Sequence, residues 1–386
     1  MDTPVVSIVV TTYNHERYIE RCLRSIAAQE CSYPFEVLVG EDCSPDGTRE
    51  VLKRIEAELP DNFKIFYREK NMGVHGPNSN SDDLVRRTRG TYLASCEGDD
   101  FWTDPHKLQK QVDFLEAHPE YVACFHHCTV VGADSQPNGE KYPDCLDEEY
   151  SFKEFFYITM PGQLASMLCR REPYLQAKER YLALQRYKNY APDRRNAFIL
   201  LCAGKVRCMQ EEMSAYRHIT TEGTSHSATF AYTKDFATNE VQYGQTLVDY
   251  ATAYGSPEAL EAAKETSYRV RFRWCHGKNK VTKLGDILRD LTHERRPLWL
   301  GLSWARWYAV LAWRMATGLL RLPSSSLCTS PEQERLHQPL LLNTWCPERD
   351  SNSHVFRQRF LRPPRLPIPP SGQLMRTDSY YTTKCG

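Results

Sequence analysis

"VVSIVVTTYNHERYIERCLRSIAAQ", residues 5–29, decides the fold. The stretch opens as an unbroken apolar, β-branched run and ends in Thr11, Thr12, Tyr13 and Asn14. A strand half exposed to water alternates; one buried on both faces of a parallel sheet does not. The period then changes, because Tyr18, Ile19, Cys22, Leu23 and Ile26 fall on one side of a helix. A buried strand feeding an amphipathic helix is the first half of a right-handed crossover, so the next strand is expected beside the first and parallel to it. "FEVLVGED" (35–42) supplies that strand, and "CSPDGTREVLKRIEAEL" (43–59) a turn and a second helix. "KIFYRE" (64–69) reads as a third strand; a loop, "NMGVHGPNSN" (71–80), and a polar helix lead to a fourth, "TYLASC" (91–96). The expected fold class is α/β, a Rossmann-like, mostly parallel sheet flanked by helices. Its ligand crevice should lie beyond the carboxyl ends of the strands.

The strand ends suit such a crevice. Thr11 to Asn14 close the first strand and Glu41 and Asp42 the second, while the fourth runs into "LASCEGDDFWTDP" (93–105), where Glu97, Asp99 and Asp100 crowd together around Gly98. Carboxylates this close raise one another's pKa unless a cation or hydrogen-bond donors offset the charge. A divalent metal is the first partner to expect. Asp104, before Pro105, reads as an ordinary helix cap. No GxGxxG follows the first strand and no GxxxxGK[ST] occurs, so a bound nucleotide would be held by side chains and metal and not by a glycine-rich cradle.

Composition removes other classes. The 386 residues carry 49 basic and 49 acidic side chains, so no global field favours nucleic acid or an anionic membrane, and function must reside in a local site. Fourteen cysteines lack the paired spacing of a zinc ribbon, and the N-terminus has no basic region followed by a long apolar stretch. The expectation is a reduced, cytoplasmic protein. "CFHHC" (124–128) suggests metal, but successive strand residues alternate faces, and a core strand fits it better. Helical patterns follow to about residue 290, and "RPLWLGLSWARWYAVLAWRMATGLLRL" (296–322) holds four of the seven tryptophans together with Arg306 and Arg314. Such a segment is too charged to span a bilayer and suits either an interfacial helix on the inner membrane face or a helix packed on the rest of the chain. Residues 323–386, rich in Pro, Ser and Arg, read as a disordered tail.

With those residues in hand, the N-terminal part resembles a family 2 glycosyltransferase of the GT-A fold, and the likeness is strong over residues 5–130. It rests on four segments in register: "VSIVVTTYNHERYIERCLRSIAAQ", "FEVLVGEDCSPDGT", "NMGVHGPNSN" and "GTYLASCEGDDFWTDPHKLQKQVDFLEAHPEY". The resemblance implies a glycosyltransferase domain over 1–225, with a nucleotide-sugar half (1–130) and an acceptor half (150–225), followed by a helical extension over 226–322. It implies inverting transfer from a nucleotide-diphosphate sugar, UDP-linked, to a glycan or lipid-linked glycan acceptor, in cell-surface polysaccharide synthesis. Thr11, Tyr13, Glu41, Asp42, Asn71 and Asp99 would bind the donor, Tyr13 stacking on the base and Glu41 or Asp42 accepting from a uracil-type N–H. Glu97 and Asp99 would occupy the two acid positions of a DxD motif and hold Mg²⁺ or Mn²⁺. Asp193, in "APDRRNAFILL", would be the catalytic base, and Arg217 and His218, in "YRHI", are further candidates for phosphate or metal contact. Glu97 stands where relatives usually carry Asp, and "GPNSN" lacks the arginine many of them have. Two rival readings are a nucleotidyl-sugar pyrophosphorylase, whose basic glycine-rich loop "TTYNHERY" does not resemble, and a non-catalytic nucleotide-sugar-binding protein.

Overall fold

The computed structural model describes residues 3–73, 79–156, 159–187, 192–219, 233–275 and 277–294. Its N-terminal half alternates as the sequence predicts: β1 (Val6–Thr12), α1 (Ile19–Ala27), β2 (Phe35–Glu41), α2 (Thr48–Ile55), β3 (Phe63–Tyr67), α3 (Asn80–Arg87) and β4 (Tyr92–Glu97). β1 lies between β2 and β4, and β2 pairs with β3; all three pairings are parallel. Val6, Ile8 and Val10 enter one core with Ile19, Leu23 and Ile26 of α1, whereas Val9 enters the core on the opposite face with Leu38 and Leu93. Burial on both faces is why the strand shows no alternation of polarity.

Beyond β4 the sheet becomes mixed. β5 (Phe101–Trp102), α4 (Lys107–Ala117), β6 (Tyr121–Val131), β7 (Glu149–Tyr150), α5 (Phe152–Phe156), β8 (Leu168–Arg170), α6 (Arg171–Leu184), α7 (Pro192–Ala203) and β9 (Lys205–Arg217) follow in order. Among the described residues one sheet runs β3-β2-β1-β4-β8-β6-β9-β5, with β7 on β9. β8 is antiparallel to both β4 and β6, and β9 is parallel to β6. "CFHHC" lies within β6, with Cys124, His126 and Cys128 buried, so it is sheet interior.

Helices α8 (Lys234–Tyr254) and α9 (Pro257–Arg273) form a hairpin, and α10 (Leu284–His293) follows. Tyr243, Leu247, Tyr250, Ala259 and Ala263 share a core with Phe198 and Leu200 of α7. A Cβ on Gly244 would lie 2.9 Å from the Ser267 Cα, so the α8–α9 approach needs glycine there. None of the described helices is long and apolar enough to cross a membrane. The tryptophan-rich segment 296–322 and the tail 323–386 lie outside the described residues.

One buried charge interrupts the core behind the β4 end. Lys107 is fully buried; its Nζ donates to Gln111 Oε1 at 2.8 Å and lies 4.1 Å from the centre of the Trp102 ring. Burial pulls its ammonium down from 10.5 to about 7. The unfolded chain therefore carries one more proton than the folded chain between those values, and stability should rise with pH across that window, by at most about 1.4 kcal/mol per unit from this group. Lys107→Met should flatten that slope and raise the melting temperature at neutral pH; equal slopes in the two proteins would exclude the effect.

Candidate functional site

Register brings the polar strand ends together, since Thr11 is the partner of Glu97, and Thr12 of Glu41. Gly98 then lets the chain turn against β1. A Cβ there would lie 2.7 Å from Thr12 Oγ1 and 2.8 Å from His15 Nδ1, two buried atoms that have no hydrogen-bond partner. After this turn Asp99 faces His15, whose Nε2 is 3.7 Å from Asp99 Oδ2. Asp100 turns inward, and its Oδ1 accepts from the Arg217 backbone N–H at 2.8 Å. Its Oδ2 is buried without a partner.

One buried arginine holds this loop. Arg217 donates from Nε to the Asp99 carbonyl at 2.8 Å, from Nη1 to the Gly132 carbonyl at 2.6 Å and from Nη2 to Ser135 Oγ at 2.9 Å, with its guanidinium 4.0 Å from the Tyr18 ring centre. The expected phosphate candidate is thus engaged in holding backbone. Its neighbour His218 is paired as well, Nδ1 to Glu140 Oε2 at 2.5 Å.

The acids remain undercompensated. Carboxylate oxygens of Glu97, Asp99 and Asp100 all lie within 4.8 Å of one another. Enclosure pushes the Glu97 carboxyl up to about 8, with Asp99 and Asp193 adding like charge, although the side chain meets solvent at the crevice mouth and the rise is moderated there. Asp100 is pushed well above the carboxylate range by burial, then by Asp99 and Glu97. Three hard oxygen donors, one orphaned and all mutually repelling, fit a small divalent cation such as Mg²⁺ or Mn²⁺. The sequence places all three acids at this strand end and the resemblance gives the metal to Glu97 and Asp99; the inward turn of Asp100 depends on Arg217, more than a hundred residues away.

On the other side of β1, Tyr13 stands 36% exposed at the crevice rim. Glu41 and Asp42 are buried and differ in their partners. Glu41 is fully enclosed and ion-paired with Arg49, and its Oε1 accepts from the Ser44 N–H at 2.6 Å. Both of its oxygens are therefore held by its own loop. Asp42 accepts from the Met72 and Gly73 amides at 2.7 and 3.1 Å, and Asn71 Oδ1 also accepts from Gly73, at 2.9 Å. These bonds bring the turn at Asn71–Gly73 against the end of β2. Residues 74–78, the rest of the expected loop up to Asn78, lie outside the described residues.

Asp193 occupies the first turn of α7, where the helix dipole favours an acid. Its carboxyl is raised by burial, against the lowering influence of Arg195. Its charge in turn raises Glu97, Tyr142 and Tyr216. The carboxylate therefore lies within electrostatic reach of Glu97 at the end of β4. Tyr142 was not singled out from sequence, and Tyr216 entered only as the first residue of "YRHI", with no role given to it.

Replacing Arg217 tests the dependence of the acid loop on its support. Arg217→Lys keeps the charge but cannot reach three separate acceptors, and unsatisfied buried carbonyls cost about 1–3 kcal/mol each. Denaturation should show a loss of roughly 2–4 kcal/mol, together with weaker Mn²⁺ binding by calorimetry; an unchanged stability would show that the loop holds itself.

Residues 7–169 match the family model described as Glycosyl transferase family 2. The uncharacterized protein Rv1520 of Mycobacterium tuberculosis is 35% identical over 224 residues, which are 58% of this chain and 61% of that protein. This chain thus spans about three-fifths of that relative's length. The poly(ribitol-phosphate) beta-N-acetylglucosaminyltransferase TarS of Staphylococcus aureus is 31% identical over 115 residues, 29% of this chain and 19% of TarS. The crystal structure of TarS 1–349 in complex with UDP-GlcNAc has a similar fold, with a TM-score of 0.53 at 17% identity over 70% of this chain and 73% of that one. From β1 into β8, the chain is thus similar to glycosyl transferase family 2.

Proposed function

We propose that this chain transfers a sugar from a nucleotide-diphosphate donor, UDP-linked, to an acceptor hydroxyl with inversion, in the assembly of a cell-surface polysaccharide. The observation that carries the reading is the acid cluster, Glu97, Asp99 and Asp100 with carboxylate oxygens within 4.8 Å of one another, with Asp193 within electrostatic reach of it. TarS, a relative over the N-terminal segment, is named as an N-acetylglucosaminyltransferase, and its solved structure holds UDP-GlcNAc. That supports a UDP-linked donor here.

In this reading Tyr13 offers its exposed ring to the base, and Asp42, braced by the Met72 and Gly73 amides, accepts from the uracil N–H. Glu41, held by Arg49 and Ser44, orients that corner and does not touch the donor. Thr11 and Asn71 line the same side. Glu97, Asp99 and Asp100 would hold Mg²⁺ or Mn²⁺, which supplies positive charge against the departing diphosphate. Asp193 takes the proton from the acceptor hydroxyl as that oxygen attacks the sugar carbon on the face opposite the diphosphate. Burial raises the Asp193 carboxyl, against the lowering influence of Arg195, which makes it a stronger base than a solvated aspartate. A glycan or lipid-linked glycan is the acceptor, and the tryptophan- and arginine-containing sequence of 296–322 supports a contact with the inner membrane face.

Two substitutions separate the roles. Asp99→Asn removes a charge and almost no volume, so Mn²⁺-dependent thermal stabilisation by UDP-GlcNAc should disappear while the melting temperature without ligand is kept. Undiminished stabilisation would remove the acids from the donor site. Asp193→Asn should leave donor and Mn²⁺ affinity unchanged and lower turnover by about 10²–10⁴-fold. Loss confined to donor affinity would assign Asp193 to binding.

A further inference from the structure

Tyr216 sits where the two sets of acids meet. It is the penultimate residue of β9, and Arg217 next to it is bonded to both Asp99 and Asp100, so the ring's position is tied to the acid loop. Side chains alternate along a strand, so Tyr216 and His218 leave the chain on the side opposite Arg217. Their rings stack at 6.2 Å with an interplanar angle of 20°, and Glu140 anchors His218. Tyr142, from the loop after β6, meets Tyr216 in a T-shaped contact, 5.3 Å between centroids at 78°.

Both tyrosines are half-buried, and neither hydroxyl has a protein hydrogen-bond partner among the described residues. Tyrosines placed for packing alone normally pair the hydroxyl when they are covered. After burial, the groups that raise the Tyr216 hydroxyl are Asp100, Glu97, Asp193 and Asp99; Asp193 and Tyr216 act likewise on Tyr142. The aromatic pair therefore lies within electrostatic reach of Asp193 on α7, and Tyr216 also of the β4 acids.

Ring faces with free hydroxyls suit a sugar ring, whose axial C–H groups are apolar and whose rim is polar. The charges around the pair disfavour an anionic occupant. Asp100, Glu97, Asp193 and Asp99 all act on the Tyr216 hydroxyl, Arg217 is engaged with carbonyls, His218 is paired with Glu140, and Arg195, whose charge reaches Asp193, is bonded to Asn196 Oδ1 at 3.0 Å. We propose that Tyr142 and Tyr216 form the acceptor subsite and that it takes an uncharged pyranose ring, not an anionic acyclic polyol. The assignment rests on the transfer reading above and adds the acceptor's chemical class to it.

Saturation-transfer NMR on the full chain with Mg²⁺ and UDP tests this. The probes are methyl glycosides of glucose, galactose, mannose and N-acetylglucosamine, with ribitol 5-phosphate as the anionic acyclic comparison. Saturation should reach the ring C–H protons of at least one methyl pyranoside and not those of ribitol phosphate. Tyr216→Ala should weaken that binding by about tenfold, the scale of one lost aromatic contact, and Tyr216→Phe by less. Tyr142→Ala, on a loop, should act in the same direction and keeps the test decisive if Tyr216→Ala does not fold. Calorimetric affinity for Mg²⁺–UDP should match wild type in all three variants. Pyranoside signals unchanged in Tyr216→Phe and Tyr142→Ala, signal on ribitol phosphate alone, or none on any pyranoside while UDP binds would overturn the subsite and leave the transfer reading standing. Failure of the wild-type chain to bind Mg²⁺–UDP would overturn both.

Discussion

The bonds from Arg217 to the Asp99–Asp100 loop are the constraint on which the crevice depends. Acids crowded at a strand end repel, and without support the loop would open into solvent to separate them. Arg217 prevents this from beneath: its amide fixes the Asp100 carboxylate, its guanidinium the Asp99 carbonyl, and the same group reaches Gly132 and Ser135 beyond β6. The cation is itself desolvated, which lowers its pKa, and its charge offsets only part of that on Asp99 and Asp100. That leaves residual negative charge, the condition a divalent cation would relieve.

The same arrangement joins the two halves of the sheet functionally. β4 brings the acids and β9 the arginine; they meet because β5, two residues long, pairs antiparallel with the end of β9, Phe101 opposite Ala215. Tyr216 follows Ala215 directly, so the aromatic wall and the acid loop share one rigid edge. A shift of β9 would move Tyr216 and the Asp99–Asp100 loop together.

α7, which carries Asp193, is oriented from behind by the C-terminal hairpin. Phe198 and Leu200 pack against Tyr250 and Leu247 in a common core, and Arg194, next to Asp193, approaches Glu240 of α8, which is also approached by Arg273 of α9. The distances, 3.9 and 3.7 Å, make this a buried charge cluster more than a set of short hydrogen bonds. Its value is orientation: desolvated charges tolerate few alternative arrangements, so α7 has one seat. The hairpin thus contributes to the crevice without entering it.

The sequence by itself determined the β-α-β run, because β1 and α1 differ in hydrophobic period and that period is local. It also marked the strand-end polar residues, since parallel strands deliver their carboxyl ends to one side whatever follows. Tertiary structure decided what those residues touch. Glu41 and Asp42 are neighbours of like chemistry, yet one is closed in by Arg49 and the other braces the turn at Met72 and Gly73, a difference set by partners that no local pattern announces. Asp100 became part of the acid cluster, and Arg217 a support for it, only when β9 came to lie beside β5 and β6. Tyr142 and Tyr216, 74 positions apart, carried no periodic signal at all, because a pocket wall assembled from a loop and a strand end is a property of contacts between segments and not of any segment alone.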